Sequence, residues 1–446
     1  MNRLGNSRRR AVSSNVRSVV SALTLAFGVT AATTPALADP PASDCAGPRW
    51  VGSWLIAASD ATPVSDMALT PTVSLFDQTY RMVVTPHLGG ATLRLHLTNR
   101  LGPLPITFGT VTVAKQAEGA AIDPASLRPV TFGGQSSATV APGAELISDP
   151  IPLSFNAFEP LAISVYVPGL SAPATENIVG LSTSYYGPPG SGDHAADPTG
   201  APLSLRTTSV LFAGGIDVLA APEHSSVVAM GDSISTGYAG ATFFEGPQDS
   251  SIVDRNLRYT DFLQHRLDAA GIPLTVLNSS IWGNRVVRNQ TIPQTGPGAS
   301  ARLQHDVIET AGVSDVIIAS GTNDLAFPPT QNPEQLAAAY TEIIGRLHAA
   351  GIRVHLATIP PSVRSFIAGG LAPDAEPVRQ RVNDWIRGQQ LSDTVIDFDA
   401  VLRDPSDPGA QRPDLVSPTL VHPNPQGHRA LADAIDIGAF QGSPCR

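Results

Sequence analysis

The feature that most constrains this 446-residue chain is a change of texture at residues 221–223. From residue 50 to about 220, apolar residues recur with a period of two in short runs separated by Gly, Pro and Asn. Leu93, Leu95 and Leu97 alternate with Thr92, Arg94 and His96, and Ile163, Val165 and Val167 alternate with Ser164 and Tyr166. Successive side chains of an extended chain point to opposite faces, so one face enters a core and the other meets water. The pattern predicts an antiparallel β-sandwich domain over residues 46–220. After Ala221-Pro222-Glu223 the apolar runs at 227–230, 274–277, 316–319, 354–357 and 395–398 are unbroken, and each is followed by a helical segment. Strands buried on both faces read this way, which predicts an α/β domain over residues 223–446 with a parallel sheet under helices.

Helix punctuation agrees. Asn332 precedes Pro333 with Gln335 three residues on, Leu336, Tyr340, Ile343, Ile344 and Leu347 keep helical spacing, and Gly351 closes the segment. Tyr259, Phe262, Leu263 and Leu267 do the same before Gly271.

The two ends speak to compartment. Residues 1–38 hold Arg3, Arg8, Arg9, Arg10 and Arg17, an apolar stretch over about 19–29, and Ala36-Leu37-Ala38 before Asp39, the pattern of a secretory signal peptide with its cleavage site. The stretch is shorter than the roughly 20 residues that span a bilayer, so a secreted, extracellular protein without a stable membrane anchor is expected. The arginine run is followed by Ala11 and Val12 rather than a large apolar residue, which leaves the export route, Sec or Tat, open. Cys45 and Cys445 are the only cysteines, and in an oxidising compartment a disulfide joining the two ends is the expected pairing. The alternatives are two free thiols or a lipid anchor at Cys45, although Ala42-Ser43-Asp44 lacks an apolar lead-in.

Charge and composition exclude several functions. The formal net charge is -10, and removing the five signal arginines takes it to -15, which argues against nucleic-acid partners. Lys115 is the only lysine, so the later motifs have none for a phosphate loop, a Ser-Lys pair or a Schiff base. No His-Glu-x-x-His run or cysteine cluster supports a metal, and no cofactor is implied.

Chemistry is concentrated at four segments. The run at 227–230 leads directly into Gly231-Asp232-Ser233, and a serine at the carboxyl end of a parallel strand faces the crevice where ligands bind. The helix start that follows adds backbone donors for a developing anion. Gly283, in Trp282-Gly283-Asn284-Arg285, can present an unhindered N–H, and Asn323, in Gly321-Thr322-Asn323-Asp324, can donate its amide to the same oxyanion. His422, in His422-Pro423-Asn424, precedes the last helix. Singly these are, respectively, a helix cap, a loop glycine, an Asx turn and a structural histidine.

Taken in this order, the segments resemble the SGNH hydrolases, a family of GDSL-like esterases and lipases, in its secreted actinobacterial branch with an N-terminal β domain. The resemblance covers residues 223–440 and includes Ala301-Arg302-Leu303 with Asp306, and Val382-Asn383-Asp384-Trp385. It implies a three-layer α/β/α domain on a five-stranded parallel sheet, and ester hydrolysis through an acyl-enzyme. Ser233 would be the nucleophile, His422 its base, and Gly283 and Asn323 oxyanion donors. The family usually has an aspartate three residues before the histidine; here that position is Thr419. A backbone carbonyl or the Thr419 hydroxyl then orients the ring, or Asp414 substitutes. Trp282 and Phe243-Phe244 either line an acyl or glycan pocket or pack under loops. The expected substrate is a small-molecule or polysaccharide ester, with a short acyl chain on carbohydrate or lipid. The competing reading is a cell-surface polysaccharide-binding protein with a decayed hydrolase domain.

Overall fold

The alternating runs and the unbroken runs build two kinds of sheet. The structure, a computed structural model, describes residues 46–61, 76–239, 251–289, 293–328, 330–363, 365 and 370–445. All of them fall in one compact unit, Ala42–Arg446. The segment 1–38, Cys45, and Phe243 with Phe244 lie outside the described residues.

In the first half Arg49–Leu55 pairs with Ala213–Ala220, which pairs with Gly90–Thr98, which in turn pairs with Glu145–Ile147 and Ile151–Phe155, all antiparallel. A second sheet runs in the order Leu205–Thr207, Ser184–Tyr186, Phe76–Val84, Leu161–Leu170, Thr110–Lys115, Arg128–Pro129. Leu93, Leu95 and Leu97 from the first sheet share a core with Met82, Ile163 and Val165 from the second, which makes a sandwich. The outer faces are drier than the alternation predicts. Ser164 is buried under Arg81, whose guanidinium also donates to the carbonyls of Ala120 and Asp197. Arg94 and His96 both donate to the buried Asp217. A period of two sets which way a side chain points; it does not say what lies against it.

In the second half five parallel strands lie in the order Leu274–Ser280, Ser225–Gly231, Val313–Ala319, Arg353–Ala357, Thr394–Ile396. Val228, Met230, Val316 and Ile318 pack with residues of the helices Ala299–Leu303, Pro333–Ala349 and Glu376–Gly388. Val227, Ala229 and Ile317 pack with residues of Tyr259–Ala269 and Pro425–Asp433. The result is the three-layer α/β/α domain that the resemblance implies. Asn332 accepts from the Gln335 N–H and the Gln335 side chain accepts from the Asn332 N–H, a reciprocal cap on Pro333–Ala349. The last apolar run is a strand only over Thr394–Ile396, because the Asp397 carboxylate accepts from the Ala400 N–H and starts the helix Phe398–Leu402.

The halves meet through close backbone contact. The Gly52 N–H donates to the Ala311 carbonyl at 2.9 Å, and a Cβ at Gly52 would lie 2.5 Å from Leu277. Because Ser225–Gly231 lies between Leu274–Ser280 and Val313–Ala319, the connections after it leave to opposite sides. A crevice opens at the carboxyl ends of the strands. No helix among the described residues is long and apolar enough to cross a membrane.

Candidate active site

All four sequence-selected residues converge at that crevice. Ser233 follows the strand Ser225–Gly231 as the first residue of a one-turn helix, Ser233–Thr236. The Asp232 carboxylate caps the turn by accepting from the Ile234 N–H at 3.0 Å, a contact of a kind that contributes about 1 kcal/mol, and Gly237 ends it at φ +82°. Burial lifts Asp232 to about 7 despite that hydrogen bond, with the nearby Asp324 adding to the shift.

Gly283 has φ +69°, and a Cβ there would lie 2.5 Å from Thr295 Cγ2, so the loop is built for glycine. Its neighbour Asn284 donates to the carbonyls of Thr295 and Pro297, each at 2.8 Å. Asn323 stands on the short helix Thr322–Ala326 and donates one amide proton to the Asn284 carbonyl at 2.9 Å. Asp324 accepts from the N–H groups of Val286 and Val287 at 2.7 and 3.1 Å. Burial lifts it to about 6 against the pull of those donors. Ser233, Gly283, Asn323 and His422 line one narrow cavity of about 10 Å³, which Trp282 and Phe327 also line.

His422 Nε2 lies 2.9 Å from Ser233 Oγ, the spacing of a nucleophile and its base. For Nε2 to accept the serine proton, Nδ1 must carry the ring's hydrogen, and Nδ1 lies 3.1 Å from Thr419 Oγ1. That hydroxyl oxygen also accepts from the His422 N–H at 3.1 Å, so its own proton is directed at Ser417 Oγ, 2.7 Å away. Of the three orienting groups the sequence left open, Thr419 is the one in contact. Asp414 is exposed and paired with Arg412 at 2.8 Å. Burial, with a smaller contribution from His428, pushes the His422 ring down to about 3. The edge-on ring of Tyr238, 4.9 Å between centroids, packs against it.

Trp282 lines the cavity and also packs with Ile178, Val179 and Leu181 of the β half. Asn284 and Asp324 are adjacent to the selected residues in sequence, yet local spacing gives no sign of the hydrogen bonds that make them part of the site, whereas Thr419 is one of the orienting groups the sequence offers. Tyr238 carried no sequence signal. No group of three or more His, Cys, Asp or Glu side chains among the described residues is placed to hold a metal ion.

With this geometry in place, comparison with known proteins defines the class. Residues 229–430 match the model of the GDSL-like Lipase/Acylhydrolase family, so the α/β half carries a GDSL-like lipase/acylhydrolase domain. Solved structures with similarity include three esterases or lipases. The lipase/acylhydrolase from Enterococcus faecalis is 18% identical, covering 47% of this chain and 92% of that one, TM-score 0.35. A family two carbohydrate esterase from Clostridium thermocellum, in complex with cellohexaose, is 14% identical, covering 81% and 91%, TM-score 0.35. A carbohydrate esterase family 2 enzyme with a carbohydrate binding domain from Corynascus thermopiles (Myceliophthora fergusii) is 14% identical, covering 87% and 96%, TM-score 0.36. No curated protein matches the chain.

Proposed function

We propose that the protein is a secreted serine esterase that hydrolyses short-chain carboxylic esters, on carbohydrate or lipid alcohols, through an acyl-enzyme. The observation that carries this reading is the 2.9 Å contact between Ser233 Oγ and a His422 ring whose other nitrogen faces a hydroxyl acceptor. Ser233 Oγ bonds to the ester carbonyl carbon as its proton passes to His422 Nε2, and the tetrahedral oxyanion faces the Ser233 and Gly283 N–H groups and the second Asn323 amide proton. Collapse breaks the bond to the alkoxy oxygen, which leaves as the alcohol with the proton from His422. Water, deprotonated by the same nitrogen, then releases the carboxylic acid and frees Ser233.

The narrow cavity beside Ser233 favours an acetyl-sized acyl group over a long chain. Ester hydrolysis by the purified mature chain across acyl lengths from two to twelve carbons tests this. Activity should be highest on the shortest esters and vanish in Ser233→Ala and His422→Ala. Highest activity on the longest esters would refute the short-chain assignment. The intact serine–histidine contact weighs against a decayed hydrolase with a binding role.

Export of the chain and the Cys45–Cys445 bridge belong to the same reading. In the loop-entropy model, closing a loop of this size stabilises by on the order of 5 kcal/mol, an upper figure. Mass spectrometry of the non-reduced secreted protein should recover linked terminal peptides. Two free thiols would exclude the bridge.

A further inference from the structure

One buried cluster outside the serine–histidine contact runs from the β half to the oxyanion loop. Arg302, on the helix Ala299–Leu303, is 2% exposed. Its guanidinium donates toward four residues, one of them the Gly231 carbonyl at 3.4 Å from Nη2. Nη1 reaches the Ser279 carbonyl at 2.8 Å and Ser279 Oγ at 3.0 Å, while Nε and Nη2 hold Asn284 Oδ1 at 3.2 and 3.1 Å. Nη1 also meets Asp306 Oδ2 at 2.9 Å. Asn284 is the residue after Gly283, and its carbonyl is the acceptor that orients the Asn323 amide. A single side chain therefore grips the residue that sits between both candidate oxyanion donors outside the nucleophile itself.

Arg302 is in turn fixed from the β half. Asp306 Oδ1 accepts from Arg100 Nη1 at 2.8 Å, and Arg100 lies just after the strand Gly90–Thr98. His305 lies between two carboxylates, Nδ1 3.0 Å from Asp306 and Nε2 2.9 Å from Glu145 on the strand Glu145–Ile147. Both ring nitrogens face acceptors, so the ring donates twice and is a cation. An arginine as buried as Arg302 is tolerated only with its charge matched and its donors used. Asp306 supplies the charge, and the β half sets where Asp306 sits.

Resting on the esterase reading above, we propose that Arg302 is a positioning residue for the oxyanion hole. The β half, through Arg100 and the Glu145–His305 pair acting on Asp306, holds it in register. The β domain is then part of the catalytic apparatus, because an oxyanion donor displaced by about 1 Å by a change far from the chemistry can cost 100-fold in rate.

The test uses the whole mature chain, p-nitrophenyl acetate as substrate, and trifluoroacetone as a probe. Ser233 Oγ adds to the ketone carbonyl carbon of trifluoroacetone as its proton passes to His422 Nε2, giving a tetrahedral oxyanion. Arg302→Lys, which keeps the charge but loses the fork on Asn284, should lower kcat by about 100-fold, and Arg100→Ala by about tenfold. In each, KM should stay within about twofold of wild type, and trifluoroacetone inhibition should weaken in step with the loss of kcat/KM. Arg100→Lys should recover part of the loss. Arg49→Ala removes a different contact between the halves, the 2.6 Å donation to the His224 carbonyl, and should lower thermal stability without touching kcat. If Arg302→Lys does not fold, Arg100→Ala and Asp306→Asn decide the matter. Folded variants that melt earlier but keep wild-type kcat and trifluoroacetone affinity overturn the proposal and leave the network a structural clamp. A wild-type chain that hydrolyses no ester overturns the esterase reading itself.

Discussion

The two halves of the molecule bury polar groups in different ways. In the parallel sheet both faces of every central strand are covered by helices, so apolar side chains fill both cores. The candidate catalytic groups collect where the strands end: Ser233 after Gly231, the 282–284 loop after Ser280, and Asn323 after Ala319. In the antiparallel half one face of each sheet makes the sandwich core, and the other face of the first sheet carries charge. That second face is put to use. Arg94, His96, Asp217 and Glu145 pair among themselves, and Glu145 and Arg100 reach across to His305 and Asp306. The contrast teaches that the α/β half carries the candidate reacting groups at strand ends, and the β half offers a polar face that pairs with the residues behind them.

Breaking the α/β side should have the larger effect. Gly283→Ala asks a non-glycine residue to take φ +69° with its Cβ 2.5 Å from Thr295, so the loop must shift. Loss of the Gly283 donor should lower kcat by about 10²–10³, read in steady-state kinetics on a folded variant. A Gly283→Ala enzyme with unchanged kcat would remove Gly283 from the oxyanion hole.

The next effect is on pH dependence. Only the neutral imidazole accepts the serine proton, and burial together with His428 holds His422 well below its ordinary 6.5, at about 3. The acid limb of kcat/KM should therefore lie below pH 6.5, with activity retained at pH 5. Thr419→Asp puts an anion beside Nδ1, stabilises the imidazolium and should move that limb to higher pH, with faster turnover near neutrality. Asp414→Asn, which loses only an exposed pair with Arg412, should leave the profile in place. A hundredfold loss of kcat in folded Asp414→Asn would contradict the hydroxyl account.

A smaller effect tests the β side. Burial disfavours charge on His305 and on His96. Hydrogen bonds to Asp306 and Glu145 in the first case, and to Asp217 and Glu145 in the second, outweigh it and lift both rings to about 9. Since both pKa values rise on folding, the stability they contribute is fully present below the unfolded value near 6.5 and is lost as pH rises through about 9. Thermal melts should show Tm falling between pH 7 and 10, and His305→Gln should flatten that fall. A fall of equal depth in His305→Gln would show that His305 does not contribute.

Much of this was legible in the sequence, for local reasons. Runs without alternation announced the parallel strands, and Asn332-Pro333 with Gln335 announced a helix start, because strand burial and capping depend on neighbours in the chain. The 395–398 run was overread because Asp397 gave its carboxylate to a helix start instead of extending the strand. The hydrogen-bonding roles of Arg302 and Asp306 could not be read, since their partners, Ser279, Asn284 and Arg100, are distant in the chain. Thr419 could be singled out, but which of three acceptors meets Nδ1 depends on the turn that brings Ser417 under it.

The central claim is that Ser233 is a nucleophile activated by His422, and intact-mass measurement after exposure to a fluorophosphonate tests it most directly. The account predicts one adduct per wild-type chain, mapped to Ser233, with none in Ser233→Ala and slow labelling in His422→Ala. Folded wild-type protein that takes up no adduct, or carries it on another residue, would contradict the account.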